Sequence, residues 1–155
     1  MFHIVLYMPE IPANTGNISR TCAVTGCVLH LIKPLGFSLE DRYLKRAGLD
    51  YWDLLDIRVY ESLEDFLRRY SRESLWLVET AGNLRYDEAQ YSDGSFFIFG
   101  RETTGLPKTL IDRYRERVVR VPMLADPKAR SLNLSNAVAL VLYEGLRQNG
   151  FPGLD

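Results

Sequence analysis

The sequence contains only two cysteines and two histidines in 155 residues. Cys22 and Cys27 do not form a Cys-x-x-Cys pair, and neither His3 nor His30 has a second ligand at metal-binding spacing. This sparse set argues against a disulfide framework and against a metal site. We expect both cysteines to be buried free thiols and both histidines to be structural.

Long apolar runs are also missing, since no stretch approaches the roughly 20 residues that span a bilayer. The first residues lack the basic flank and the small-residue cleavage site of a signal peptide. We therefore expect a cytoplasmic protein with no membrane partner. With 46% apolar and 25% charged residues, the composition is typical of a globular protein, and we expect one domain over residues 1–155.

Acidic and basic residues nearly balance, with 20 of the first and 19 of the second, so the net charge is only −1. Dedicated nucleic-acid binders usually carry a basic stripe, so any RNA affinity must come from local clusters. Arg42, Lys45 and Arg46 are the best candidates, since their i, i+3 and i+4 spacing places them on one helix face. An ordinary solvated helix face has the same pattern. Lys128 and Arg130 form a second candidate cluster.

Apolar strands alternate with helical patterns along the whole chain. Strands are predicted at 2–8, 28–32, 57–60, 75–79, 95–99 and 117–121, and helices at 17–25, 39–47, 63–70, 107–114 and 133–148. This alternation predicts an α/β fold with a mostly parallel sheet and helices on both faces. Ser62 is a candidate N-cap, with Asp65 three residues later.

The last predicted helix is unusual because residues 137–143 are apolar on every side. A helix of this kind must be buried all round. The sheet can cover one face, and a homodimer interface through this C-terminal helix is the economical cover for the other, with Val141 as an outward position. The alternative is a fully internal helix in a monomer.

Three polar junctions follow predicted strands and lead into helices, at residues 14–20, 97–107 and 121–138. Open α/β sheets bind ligands outside the carboxyl ends of their strands, where such junctions meet. We therefore expect one composite site. Gly100 and Gly105 permit close approach of the backbone to a ligand, although a plain turn would explain them equally. No Gly-x-Gly-x-x-Gly follows the first strand, which argues against a nicotinamide-dependent Rossmann enzyme.

The three junctions, in this order, resemble the signature motifs of the SPOUT superfamily of RNA methyltransferases. The match is closest to the minimal tRNA wobble-nucleotide ribose 2′-O-methyltransferases, and it extends from residues 4–7 through 46–51 to 150–153. The resemblance implies a SPOUT fold with a deep C-terminal trefoil knot, which no spacing argument could predict. It also implies S-adenosylmethionine as methyl donor, no metal, and the tRNA anticodon loop as partner. The implied substrate is the ribose of nucleotide 34, cytidine or modified uridine, in leucine tRNAs.

The resemblance also implies roles for individual residues. The implied catalytic group is Asn14, Arg20, Glu102, Ser131 and Asn133. The implied cofactor pocket is Val78, Gly100, Gly105, Val121, Leu124, Ser131 and Leu132, and the implied RNA-binding residues are Arg20, Arg42, Lys45 and Arg46. Helix capping would explain Ser131 and Asn133 without catalysis.

Arg20 is expected at the N-terminal end of a predicted helix, where an anion would be favoured. In the family that it resembles, this arginine is sometimes described as the general base. Because a guanidinium pKa lies above about 12, we expect Arg20 instead to hold the phosphate beside the target ribose and to stabilise the developing alkoxide. A surface salt bridge is the ordinary alternative for an arginine.

Two other functions stay open on the sequence. One is 2′-O-methylation at another tRNA position or in ribosomal RNA, because sugar methylation uses the same motifs whatever the base. The other is a non-catalytic RNA-binding module. Arg20 together with Glu102, Ser131 and Asn133 argues against the second, since a binding module needs only a basic surface.

Overall fold

The computed structural model describes the backbone of residues 1–155 and all side chains except those of residues 43, 47–50 and 52. The motif at residues 46–51 therefore lies partly outside the described side chains. The strands are β1 (His3–Tyr7), β2 (Val28–Ile32), β3 (Asp56–Tyr60), β4 (Leu75–Val78), β5 (Leu84–Arg85), β6 (Phe96–Phe99) and β7 (Val118–Arg120). The α-helices are α1 (Pro12–Thr25), α2 (Arg42–Gly48), α3 (Leu63–Tyr70), α4 (Lys108–Arg113) and α5 (Leu134–Gln148), and short 3-10 helices cover Leu49–Leu54 and Arg115–Arg117.

All seven strands form one sheet in the order β3-β2-β1-β6-β4-β7-β5, and every strand pairing within it is parallel. The prediction of a mostly parallel sheet is confirmed. Sequence reasoning missed β5, whose two residues are too few to show a periodic pattern. Strand β6 lies between β1 and β4, so the carboxyl ends of these three strands are neighbours at one edge.

Alternate strand residues point to opposite faces of the sheet, and each face is covered by helices. Ile4 packs in a cluster with Val138 of α5, whereas its neighbour Val5 packs with Phe66 of α3 and Leu110 of α4. The predicted helices on both faces are therefore confirmed. Burial of both faces explains why the strands read as nearly continuous apolar runs.

Helix α3 begins and ends where the sequence predicts, and Ser62 Oγ accepts a hydrogen bond from the backbone N–H of Asp65 at 3.1 Å. Helix α1 differs, because it begins at Pro12 rather than at residue 17. Proline suits the first helical position, where its missing N–H has no intrahelical partner to lose. The first polar junction is thus already helical, and the prediction of a loop there was wrong.

Helix α5 has a buried face and an outer face. Val141 is fully buried, so its predicted outward position was wrong. Leu140 and Tyr143 are the outward apolar side chains, at 42% and 45% exposure. The sequence does not indicate which side faces inward, because apolar residues occur on both sides of the helix and their periodicity therefore marks no single buried face.

The prediction of buried free thiols is confirmed, and the two histidines contact each other through their ring nitrogens. Cys22 and Cys27 are buried free thiols. His3 Nδ1 lies 3.0 Å from His30 Nε2, and His30 Nδ1 lies 2.8 Å from the hydroxyl of Tyr60. Within the described part of the chain, no helix combines the length and the apolar character needed to span a membrane.

Candidate active-site cleft

A cleft of about 510 Å³ opens at the carboxyl ends of β4, β6 and β7. Its walls come from the segments that follow these strands, from the start of α1 and from the approach to α5. Nine residues implied by the resemblance line it: Asn14, Val78, Gly100, Glu102, Gly105, Val121, Ser131, Leu132 and Asn133. The tertiary structure therefore brings all three polar junctions to one site, as the sequence predicts.

The loop from Gly100 to Leu106 closes on itself through a bridge between Arg101 and Gly105. A Cβ added to Gly100 would collide with the carbonyl carbon of Gly105 and lie 2.5 Å from the backbone nitrogen of Leu106. Gly105 has a φ of +70°, a conformation that side chains disfavour. Both positions therefore need glycine, and the compact loop presents its backbone to the cleft.

Glu102 joins this loop to the start of α1. Its carboxylate accepts hydrogen bonds from the backbone N–H of Glu10 at 2.9 Å and of Ile11 at 3.1 Å. In return, Glu10 Oε1 accepts from the backbone N–H of Thr103 at 3.2 Å and from its hydroxyl at 2.7 Å. These bonds from Thr103, with help from nearby Arg101, hold the pKa of Glu10 below its usual value. The loop after β6 and the loop before α1 therefore each accept hydrogen bonds from the other.

Asn14 connects Glu102 to the third junction. Asn14 Nδ2 lies 3.4 Å from Glu102 Oε1, and Asn14 Oδ1 accepts a hydrogen bond from Asn133 Nδ2 at 3.1 Å. Asn133 also caps α5, since its Oδ1 accepts from the backbone N–H groups of Ser135 at 2.9 Å and Asn136 at 3.4 Å. Capping and cross-junction bonding are therefore combined in one side chain.

Two implied residues stand apart from the cleft wall. Leu124 is 81% exposed and does not line the cleft, so the structure does not bring it together with the other residues implied for the cofactor pocket. Arg20 is exposed in the third turn of α1 and does not line the cleft within its own chain. Its guanidinium carbon lies 4.7 Å from the centre of the Tyr51 ring, a cation–π distance.

The expected placement of Arg20 at a helix N-terminus was also wrong. The helix begins eight residues earlier, and the carboxylate of Glu102 already occupies its positive end. Among the predicted RNA-binding residues of α2, Arg42 and Arg46 are exposed, while Lys45 pairs with Glu40 at 2.6 Å.

Sequence reasoning missed two charged residues of the cleft, Glu79 and Arg101. Glu79 directly follows Val78, and Arg101 directly follows Gly100. Both could have been predicted from the sequence, because polar side chains just after a parallel strand commonly lie at the ligand site. Arg101 Nε is buried without a hydrogen-bond acceptor and lies 3.8 Å from Glu10 Oε1. Arg130, predicted only as part of a basic cluster, also lines the cleft.

The cleft is chemically suited to a small ligand with both apolar and polar parts. Val78, Phe99 and Val121 supply apolar walls, and the surrounding loops supply backbone donors and acceptors. Among the side chains that the structure describes, there is no cluster of three histidine, cysteine or acidic residues that could hold a metal ion.

Comparison with known proteins gives the family. Residues 1–143 match the SpoU rRNA Methylase family. The chain is 50% identical to a protein of Methylovorus glucosotrophus named tRNA (cytidine(34)-2′-O)-methyltransferase, with 99% of each chain covered. A protein of the same name from Saccharophagus degradans is 47% identical over 99% of both chains. A solved structure described as "Structural insights into the 2-OH methylation of C/U34 on tRNA" matches with a TM-score of 0.89 and 43% identity, covering 97% of each chain.

The matched region includes all seven strands and the cleft, and the relatives agree with the chain along nearly their whole length. The resemblance of the three junctions to RNA methyltransferase motifs is thereby confirmed, and the chain belongs to the SpoU rRNA methylase family.

Proposed function

We propose that the protein is an S-adenosylmethionine-dependent tRNA methyltransferase that modifies the ribose 2′-hydroxyl of nucleotide 34, cytidine or modified uridine, in leucine tRNAs. The observation that carries this proposal is the shared name of relatives about half identical over essentially the whole chain. The solved structure concerned with methylation of C/U34 on tRNA supports the inclusion of uridine. A tRNA substrate would place the protein in the cytoplasm.

The residues of the cleft fit a nucleoside-based methyl donor. A volume of about 510 Å³ lies within the range of small-molecule sites, and the glycine positions let the backbone approach a ligand closely. When bound, S-adenosylmethionine would supply an activated methyl group on sulfur. We assign its contacts to Val78, Gly100, Gly105, Val121, Ser131 and Leu132, which line the cleft together.

The polar side chains would then hold the site in shape. Glu102, Asn14 and Asn133 form one connected set across the three junctions, so they can fix the position of the ribose and the cofactor relative to α1. Preorganised polar groups stabilise developing charge because they need no reorientation during the reaction. We assign Ser131 a contact with the cofactor or the ribose on its place in the cleft wall.

Arg20 would act as a fixed cation that holds phosphate and stabilises the developing alkoxide. Its exposure on α1 leaves the guanidinium accessible to an RNA backbone, and Tyr51 orients it from one side. A planar guanidinium can bind phosphate through two parallel hydrogen bonds. Arg42, Lys45 and Arg46 would contact the anticodon arm from α2, which packs against α1.

We further propose a homodimer formed through the outer faces of α1 and α5. The two helices contact each other, and their outer faces carry Val24, Leu140 and Tyr143, which are large and partly exposed. A partner covering this surface would bury apolar area that the sheet does not reach. Arg20 lies on the same exposed side of α1, at four-residue spacing from Val24, so dimerisation would bring it close to the partner chain.

Membership of the family also supports one domain over residues 1–155 with a deep C-terminal trefoil knot, as the SPOUT resemblance implies. The seven strands share one sheet, which supports the single domain.

The test is transfer of labelled methyl groups from S-adenosylmethionine to bulk tRNA, followed by nuclease digestion and mass spectrometry of the product. We expect one 2′-O-methylated nucleotide, at position 34 of leucine tRNAs. Label at another tRNA position, or in ribosomal RNA alone, would replace the proposed target. RNA binding without any transfer would identify a non-catalytic module.

A further inference from the structure

Glu79 is a carboxylate built into the wall of the cleft. It directly follows β4, and its backbone N–H donates to the carbonyl of Val119 at 2.9 Å, which fixes the residue beside β7. One side-chain oxygen, Oε1, accepts a hydrogen bond from the backbone N–H of Leu106 at 2.5 Å. A Cβ on Gly105 would lie 2.6 Å from that oxygen, so the glycine makes room for the carboxylate.

Among the described side chains, none of the ion pairs involves Glu79. Burial raises its pKa, opposed only by hydrogen bonds from the backbone of Leu106 and Thr80. Glu10 at this edge differs, because Nε of Arg101 lies 3.8 Å from its Oε1.

An uncompensated, half-buried carboxylate lowers stability unless a ligand offsets its desolvation. The walls beside Glu79 are apolar, because Val78, Phe99 and Val121 line the same cleft. Charge attraction is stronger next to such walls than in water. A cationic ligand in this cleft would therefore gain affinity from Glu79, and a neutral ligand of the same shape would gain much less.

We propose that Glu79 is a specificity-determining residue that recognises a positive charge of the methyl donor. The inference rests on the proposed function, because it takes the ligand to be S-adenosylmethionine. That molecule has two cationic centres, an α-ammonium and a sulfonium. S-adenosylhomocysteine keeps only the ammonium, and 5′-methylthioadenosine has neither, so the three compounds carry two, one and no cationic centres.

The experiment is calorimetric titration of the purified full-length protein with each of the three compounds, which measures the three affinities. Glu79→Gln is the test variant, because its amide oxygen can still accept from Leu106 while the charge is removed. We expect S-adenosylmethionine to bind at least about tenfold more weakly and 5′-methylthioadenosine to change less than about twofold. If Glu79→Gln weakens the binding of S-adenosylhomocysteine by the same factor, Glu79 recognises the ammonium. If the affinity for S-adenosylhomocysteine is unchanged, Glu79 recognises the sulfonium.

Glu61→Gln is a matched control, because Glu61 is an exposed carboxylate outside the cleft. It should leave all three affinities unchanged. Glu79→Asp keeps the charge and should retain the preference for S-adenosylmethionine over 5′-methylthioadenosine, which provides a test if Glu79→Gln does not fold. A uniform loss for all three compounds in Glu79→Gln, or no loss, would overturn the inference. Failure of the unaltered protein to bind any of them would instead overturn the proposed function.

Discussion

Asn133 donates a hydrogen bond from Nδ2 to Oδ1 of Asn14 at 3.1 Å, although the two residues are 119 positions apart. The bond joins the entry of α5 to the first turn of α1, and Asn14 in turn approaches Glu102. One amide side chain therefore serves both as a helix cap and as a bridge between junctions. Substitutions at position 133 can separate these two contributions.

Asn133→Ser should retain the cap and lose the bridge. Serine is about as good an N-cap as asparagine, but its short side chain cannot reach Asn14. We expect a free energy of unfolding close to that of the unaltered protein, together with a large loss of methyl transfer. Asn133→Ala should also lose about 1 kcal/mol of stability. Urea unfolding and the transfer assay measure the two effects.

Ser62→Ala is the matched control for the cap, because Ser62 caps α3 and does not line the cleft. It should lower the free energy of unfolding by about 1 kcal/mol and leave methyl transfer unchanged. Full activity of Asn133→Ser would show that the bridge to Asn14 does not matter to catalysis.

Gly100→Ala should weaken binding of S-adenosylhomocysteine by at least about tenfold, because the new methyl group would displace the backbone of Gly105 and Leu106. Leu124→Ala should leave the affinity unchanged, since Leu124 is exposed and away from the cleft wall. Calorimetry without RNA measures both. Equal affinities for the two variants would place the cofactor elsewhere.

Arg20→Lys should keep some methyl transfer, whereas Arg20→Ala should lose nearly all of it, because lysine keeps the charge without the planar fork. Binding of S-adenosylmethionine should survive both changes, since Arg20 does not line the cleft of its own chain. We also expect the rate to rise little between pH 7 and pH 9. If Arg20→Lys were as inactive as Arg20→Ala with unchanged tRNA affinity, the electrostatic role would be wrong.

Leu140→Asp should convert the proposed dimer to folded monomers, because Leu140 lies on the outer face of α5. Val141→Asp should instead unfold the protein, since Val141 is fully buried on the inner face of the same helix. Sedimentation at micromolar concentration and circular dichroism distinguish these results. A protein that sediments as a monomer before any substitution would contradict the dimer.

Stability should decrease as the pH falls from about 6.5 towards 5, because of the pair formed by half-buried His3 and buried His30. Desolvation by burial is the main cause that lowers the pKa of His3 to about 4 and that of His30 to about 3. An unfolded histidine titrates near pH 6.5, so in this window the unfolded state binds more protons and is favoured by acid. For fully buried His30 the loss is on the order of 1 kcal/mol between pH 6 and pH 5.

Urea unfolding at pH 7, 6 and 5 measures this dependence. His30→Asn should be less stable at pH 7 but should lose less stability on acidification, because one of the two titrating groups is gone. The same slope in both proteins would assign the acid sensitivity to other groups.

The sequence by itself was sufficient for the α/β fold, the parallel sheet and the three converging junctions. Strand burial on both faces leaves continuous apolar runs, and parallel strands place their carboxyl ends at one edge. The edge position of Gly100 and Glu102 follows from that geometry, because both residues come just after β6. The N-cap at Ser62 could also be predicted from the sequence, because its hydrogen-bond partner Asp65 is only three residues away.

The tertiary structure decided the features that depend on distant partners. Helix α1 begins at Pro12, which suits the first turn, and the carboxylate of Glu102, about 90 residues later, accepts hydrogen bonds from the backbone N–H groups just before it. The outward face of α5, the exposure of Leu124 and the partial burial of Glu79 also depend on what packs nearby. Hydrophobic periodicity and local propensity carry no information about such contacts, so only the folded chain shows them.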